Sequence, residues 1–243
     1  MLDYILWALL ILLGVFVLCV VFSYVCGMFV KNIEYKKNSK FYRFLLHSWT
    51  KFGIVILRIK LHVTGLDKVP TNSRFLLVSN HISNYDPIVT WHILKKYDLA
   101  FVSKESNFKI PFFGKFIRKC CFLEIDRTNP RNAIKTINAA SELIKSNEVS
   151  IGIYPEGTRS KTEELLPFHN GVFKIAQKAN VPIVVMKVTG TNKIYKNIPF
   201  KKSDVYVDIL EVIDTDKVNN LSTGEIGEIV KKLLLKEEGE QNG

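Results

Sequence analysis

Residues 74–97 read RFLLVSNHISNYDPIVTWHILKKY, and this stretch decides the fold. Arg74–Ser79 is a short apolar run with the composition of a buried strand. Pro87–Tyr97 reads as a helix, with Pro87 at its first position and Asp86 before it as the N-cap. A polar turn, Asn80–Tyr85, joins the two. The same alternation continues outward. Strands are predicted at Arg58–Thr64, Leu99–Ser103, Phe122–Asp126, Val149–Tyr154, Val181–Val188 and Val205–Ile213. Helices or turns are predicted at Phe108–Lys119, Arg131–Ser146, Phe168–Ala179 and Ser222–Lys236. The pattern specifies an α/β fold: a mixed, mostly parallel sheet flanked by helices. Ligands of such sheets bind beyond the carboxyl ends of the strands, which is where residues 80–86 lie. There is no internal repeat and no long linker, so residues 58–243 read as one α/β domain.

Residues 1–57 have a different character. Tyr4–Val30 is almost unbroken apolar sequence, and Asp3 is the only charge before Lys31. About 20 apolar residues suffice for a membrane helix. A cleaved signal would carry a basic n-region and a shorter apolar core, so the run reads as an N-terminal membrane-anchoring helical segment. Its length fits both a full span and entry into one leaflet. Lys31–Lys60 holds eight basic residues and one acid, Glu34, a net +7 out of +11 for the whole chain. By the positive-inside rule the domain then sits on the cytoplasmic face of the cell membrane. Within this stretch Phe41, Phe44, Leu45, Trp49 and Phe52 recur near helical spacing, with Lys40, Arg43 and Lys51 between them. That pattern suits an amphipathic helix in the headgroup layer, and its alternative is a core-packing helix. So strong a basic balance implies an acidic partner. The charge adjoins an apolar segment and no nucleic-acid-binding signature follows, so membrane lipids are expected and nucleic acid is not.

Three groups of residues carry chemistry. The first is Asn80-His81-Ile82-Ser83-Asn84-Tyr85-Asp86. A histidine whose tautomer is fixed by a carboxylate can take a proton from an alcohol. Taken alone, the pair has an ordinary alternative: a helix-capping Asp86 and a loop His81. The second is Ile151–Ser160, IGIYPEGTRS, an apolar strand running into a turn. There Gly157 can aim N–H groups at an anion, Arg159 offers a planar fork for phosphate, and Glu156 suits substrate hydroxyls or neighbouring basic groups. The third is Glu124-Ile125-Asp126-Arg127 at another strand end, with Arg127 a second phosphate candidate. The four cysteines contain no C-x-x-C pair. Cys19 and Cys26 lie in the apolar run and Cys120–Cys121 on an expected buried strand, so they read as small apolar residues rather than a disulfide or metal framework.

Together and in this order, these blocks resemble the glycerolipid acyltransferases, and within them the 1-acyl-sn-glycerol-3-phosphate (lysophosphatidic acid) acyltransferases. NHISNYD resembles the family's NHxSxxD block, EIDR the end of its second block, and YPEGTRS its FPEGTRS block with Tyr154 for phenylalanine. VPIVVM, Val181–Met186, is similar to VPIVPV with Val185 for the second proline. The likeness spans about residues 58–215. It implies His81 and Asp86 as the catalytic pair. It implies Arg127, Glu156, Gly157 and Arg159, with Lys104, as substrate-binding residues around phosphate and glycerol, and Asn80, Ser83 and Thr158 as supporting motif positions. It further implies direct transfer from an acyl carrier protein or coenzyme A thioester to lysophosphatidic acid, giving phosphatidic acid, with no acylated protein residue, no metal and no bound cofactor.

Other readings fit less of the chain. A related acyltransferase acting on glycerol-3-phosphate or another lysophospholipid shares these blocks. A non-catalytic membrane-binding protein accounts for the anchor and charge but not for four ordered blocks. The G-x-S-x-G elbow of a serine hydrolase, the G-x-G-x-x-G loop and the P-loop are all missing.

Overall fold

The computed structural model describes residues 1–126, 130–162 and 164–235, so Arg127 lies outside the described residues. In chain order the elements are α1 (Leu2–Met28), α2 (Lys40–Ile56), β1 (Ile59–Thr64), β2 (Leu76–Ser79), α3 (Asp86–Ile93), β3 (Leu99–Lys104), α4 (Phe113–Lys119) and β4 (Leu123–Ile125). They continue with α5 (Pro130–Lys145), β5 (Ser150–Ile153), α6 (Lys174–Ala179), β6 (Ile183–Thr189), α7 (Ile194–Asn197), β7 (Ser203–Ile213), α8 (Thr215–Asn220) and α9 (Thr223–Leu235). The seven strands form one sheet in the order β1-β7-β6-β2-β5-β3-β4. The five strands from β6 to β4 are mutually parallel. β7 runs antiparallel to β6, and β1 is parallel to β7. The expected mixed, mostly parallel sheet is therefore present.

The four residues of β2 and of β5 are all buried, as central strands covered on both faces must be. The core is built from such runs, with Phe75, Leu76, Ile151, Ile183 and Val184 among its fully enclosed side chains. Because β2 lies between β5 and β6, the carboxyl ends of three parallel strands converge on the turn after Ser79.

Two expectations are corrected by local geometry. Cys120 and Cys121 do not lie on a strand. Cys120 ends α4 and Cys121 takes a left-handed conformation, φ 61°. The amides of Cys121 and Phe122 bond the carbonyls of Arg118 and Ile117 at 3.0 and 3.1 Å, which closes the helix in a Schellman arrangement. Both cysteines are nonetheless buried, and burial pushes each thiol up to about 12, so neither is a reactive thiolate. The second correction concerns Asp86, which is the first residue of α3 rather than its N-cap; Tyr85 holds that position.

α1 is apolar on every face, and its most apolar 18-residue window is 0% buried. It is long and apolar enough to cross a membrane. It pairs with α2 in antiparallel fashion. Phe16 stacks on Phe52, Trp49 Nε1 donates to Ser23 Oγ at 2.9 Å, and the Tyr42 hydroxyl donates to the Cys26 carbonyl at 3.0 Å. The first dozen residues of α1 therefore run past the end of α2. α2 splits the residues expected on one headgroup-facing stripe. Arg43, Leu45, Leu46, Thr50 and Ile54 are buried, whereas Phe41, Phe44, Phe52, Val55 and Ile56 stay exposed. Arg43 is thus a core residue, held at the amino ends of β3 and β4. Its guanidinium donates to the Leu99 carbonyl at 2.9 Å and twice to Asn38 Oδ1, sits 3.3 Å from Asp98, and lies over the Trp91 ring.

Candidate active site

The site begins where β2 ends. Asn80 straps the chain to β6: its Oδ1 accepts from the Val188 amide and its Nδ2 donates to the Val188 carbonyl, both at 2.8 Å. The turn that follows wraps around one carboxylate. Asp86 Oδ2 accepts from the amides of Ile82 and Ser83 at 2.8 Å each, and lies 2.8 Å from His81 Nδ1. Asp86 Oδ1 accepts from the Thr191 hydroxyl, which arrives from the end of β6. Ser83 Oγ accepts from the Tyr85 amide at 3.2 Å and stiffens the same turn. Asp86 is completely buried, and burial of a carboxylate is tolerable only with such a full set of donors. This also explains the missing N-cap: the carboxylate is turned back onto residues 81–83 and has no free oxygen for the helix.

The consequence for His81 is chemical. Asp86 can only accept at Nδ1, so that nitrogen carries the proton and Nε2 is left with its lone pair. The imidazole is 15% exposed, and its Nε2 has no protein partner among the described residues. The ring lies on the Tyr154 ring at 4.2 Å and 15°, and Tyr154 lies parallel to Phe101 behind it. The backbone of His81 is fixed too. Its amide donates to Glu156 Oε1 at 2.7 Å, and its carbonyl accepts from the Ser160 amide at 2.8 Å. Position, tautomer and ring plane are all set before any substrate arrives.

The 154–160 turn lies against this constellation. Glu156 is buried, and its second oxygen accepts from the Leu166 amide at 2.9 Å. Burial raises its carboxyl above the ordinary value, against the two backbone hydrogen bonds that lower it. With one backbone amide on each oxygen, Glu156 braces the His81 turn. Gly157 has φ 68°, and a Cβ there would come within 2.9 Å of the His169 ring. Thr158 and Arg159 are exposed, and Arg159 has no ion pair among the described residues. Lys104 ends β3, is exposed, and is paired in register with Ile125 at the end of β4.

Beside the turn lies a cavity of about 480 Å³ with Val102, Ile125, Ile137, Ile153, Val172 and Ile175 in its wall. Tyr154 belongs both to this cavity and to the His81 surroundings. A pocket of this size and apolarity suits a hydrocarbon chain. Among the described residues no group of three His, Cys, Asp or Glu side chains could hold a metal ion.

The structure brings His81, Asp86, Asn80, Ser83, Glu156 and Gly157 into one contact network. Thr158, Arg159 and Lys104 stay on its exposed rim. Thr191 is a site residue that sequence reading missed. Its hydroxyl meets Asp86 across 105 residues of chain, and nothing local marks it. The stacking face offered by Tyr154 likewise does not follow from its place in the YPEGTRS block.

Comparison with known proteins completes the description. Residues 60–189 match the family model described as Acyltransferase. Over 183 residues the chain is 31% identical to the 1-acyl-sn-glycerol-3-phosphate acyltransferase of Saccharomyces cerevisiae, covering 74% of this chain and 59% of that protein. Over 160 residues it is 34% identical to the protein of the same name from Salmonella typhimurium, covering 65% and 64%. The chain thus spans less than two thirds of the length of these curated relatives. Among solved structures it is similar to the 1-acyl-sn-glycerophosphate acyltransferase of Thermotoga maritima, with a TM-score of 0.67, 26% identity, and 79% and 76% of the two chains covered.

Proposed function

The chain belongs to the acyltransferase family, and on that premise we propose that it moves an acyl chain from a thioester to the free sn-2 hydroxyl of 1-acyl-glycerol-3-phosphate, giving phosphatidic acid. One observation carries the reading: His81, stacked on Tyr154 of the apolar cavity's wall, has a free Nε2 among the described residues, while a buried, fully hydrogen-bonded Asp86 fixes its Nδ1. The names of the relatives supply the substrate class.

The chemistry follows from that nitrogen. Nε2 takes the hydroxyl proton as the oxygen attacks the thioester carbonyl. The imidazolium formed is stabilised by the adjacent carboxylate. Collapse of the tetrahedral intermediate breaks the C–S bond, and the departing sulfur receives the proton from Nε2. Ester and free thiol result, and His81 returns to its starting state. The step requires neither an acylated serine nor an acylated cysteine.

Substrate must be held so that the hydroxyl meets Nε2. We assign Arg159 and Lys104, the exposed cations on the rim, to the phosphate, together with Arg127. Gly157 permits the turn that carries Arg159, Glu156 ties that turn to His81, and Thr158 shares the exposed rim. The cavity would take a hydrocarbon chain. Residues 1–57 would act as anchor and interfacial helix, with the domain of residues 58–243 on the cytoplasmic side of the membrane.

The test uses the full chain in phospholipid vesicles, supplied with 1-acyl-glycerol-3-phosphate and a thioester of either acyl carrier protein or coenzyme A. Phosphatidic acid and free thiol should appear in equal amounts. His81→Ala should lower turnover at least about 10³-fold. A preference for glycerol-3-phosphate or another lysophospholipid as acceptor would move the assignment to the related activity, and normal turnover by His81→Ala would overturn the mechanism.

A further inference from the structure

The segment between β6 and β7 has no role in the chemistry above, yet it carries an unusual surface. Residues 193–202 read KIYKNIPFKK. Tyr195 is 80% exposed and Phe200 84% exposed, with Ile198 also at the surface. Lys193, Lys196, Lys201 and Lys202 are interleaved with them and exposed, and the stretch contains no acid. None of these lysines forms an ion pair among the described residues. Asp204, the nearest acid along the chain, is already hydrogen-bonded to His62 at 2.8 Å. Large aromatic rings between exposed lysines match a surface that is apolar inside and negatively charged outside.

Its placement identifies the occupant. β7 begins where β6 ends, so the segment stands at the same edge of the sheet as His81 and Asp86. Thr191, two residues before it, is the donor to Asp86. At its other end the Arg58 guanidinium donates to the Phe200 carbonyl at 2.7 Å, and the Ser203 amide donates to the Arg58 carbonyl at 3.2 Å. Arg58 follows α2, whose last exposed residues are Phe52, Val55 and Ile56. Because α1 is antiparallel to α2, the unpaired apolar part of α1 runs past this same end, by about 18 Å for a dozen helical residues. The loop, the end of α2 and the free half of α1 thus lie toward the same end of the sheet, and each exposes apolar side chains.

We propose that residues 193–202 are a second membrane contact, in which Tyr195, Ile198 and Phe200 enter the interface of a bilayer bearing anionic headgroups and the four lysines bind those headgroups. The inference rests on the reading of α1 as a membrane helix. It gives the molecule two footholds, α1 and this loop, and sets the crevice of His81 against the headgroup layer where a lysolipid hydroxyl lies. The connection through Thr191 joins the loop to the carboxylate that positions His81.

The experiment places an indole at the tip. Full-length Phe200→Trp is reconstituted into vesicles of phosphatidylcholine and phosphatidylglycerol whose acyl chains carry bromine, with the unmodified chain as reference for Trp7, Trp49 and Trp91. The added emission should be blue-shifted and quenched at least about twofold by the brominated lipid. Reversing charge with Lys196→Glu, Lys201→Glu and Lys202→Glu together should remove most of that quenching. An unquenched, water-like emission overturns the proposal, as does quenching that charge reversal leaves unchanged. Shielding that appears only when an acidic carrier protein is added also overturns it, and would assign the surface to a protein partner. The readout is independent of catalysis. A chain that docks but transfers no acyl group contradicts the proposed activity alone, and one that transfers normally with an undocked loop contradicts this inference alone.

Discussion

Two buried charges sit at opposite ends of this sheet, and they are used differently. At the carboxyl end Asp86 is enclosed by two turn amides, the Thr191 hydroxyl and the His81 ring. At the amino end Arg43 is enclosed by Asn38, the carbonyls of Leu99 and Cys120, Asp98 and the Trp91 face. Each satisfies the requirement that a buried charge be fully partnered. Only one has an outlet. Among the partners of Asp86 is an imidazole whose far nitrogen is free among the described residues, whereas the partners of Arg43 are two carbonyls, an amide oxygen, an indole face and Asp98, which also pairs with Arg74. The same physics therefore gives a proton acceptor at one edge and a clamp at the other. α3 bridges the two, with Asp86 in its first turn and Trp91 near its last.

The comparison can be broken from either side. The largest stability effect is expected at the clamp. Arg43→Ala should destabilise the folded domain by about 3–5 kcal/mol in denaturant unfolding, with α2 loosened from the body. A loss under about 1 kcal/mol would show that the buried guanidinium holds nothing together. At the outlet, Asp86→Asn should lower turnover about 10²–10⁴-fold while the apparent KM for lysolipid changes little. A rise in KM with unchanged kcat would instead make Asp86 a binding residue. Thr191→Val removes one of the four contacts to Asp86 and leaves its Oδ1 without that donor; it should cost roughly fivefold in turnover and about 1–3 kcal/mol in denaturant unfolding.

The smallest effect concerns pH at the clamp. His47 stacks on Trp91 at 4.5 Å, with both ring nitrogens buried and without a hydrogen-bond partner among the described residues. Burial first, and then the charge of Arg43, lower its imidazole from 6.5 to about 4. The unfolded chain therefore binds the proton at a higher pH than the folded one. Stability from this site is intact above pH 6.5 and is lost as pH falls from there towards 4, by about 1–2 kcal/mol after allowance for partial exposure. His47→Phe should flatten that acid limb, and an unchanged limb would assign it to other groups.

Much of this was legible in the sequence, for identifiable reasons. Apolar runs such as Leu76–Ser79 and Ile183–Met186 are buried on both faces, so local composition is enough to find them. His81 and Asp86 lie five residues apart, and one turn brings them together. Where sequence reading fell short, contacts between distant segments decided the outcome. Cys120–Cys121 looked like strand because both are apolar, but a helix end 3.0 Å from its capping amides claimed them. Asp86 looked like an N-cap because Asp-Pro usually is one, but tertiary packing turned its carboxylate onto His81. Arg43 carried the same charge as Lys40 and Lys51, and only the fold shows that it faces inward. Thr191 gave no local signal at all.

The most direct test of the central claim, that Asp86 acts through His81, is a double-mutant comparison of kcat/KM for lysolipid acylation. The wild-type chain, His81→Ala, Asp86→Asn and the double variant are measured in the same vesicles. If Asp86 serves by fixing the tautomer and position of His81, the double variant should be no slower than His81→Ala alone, within about threefold. If the two losses instead multiply, Asp86 contributes independently of the imidazole, and the account of a positioned base with a single free nitrogen is contradicted.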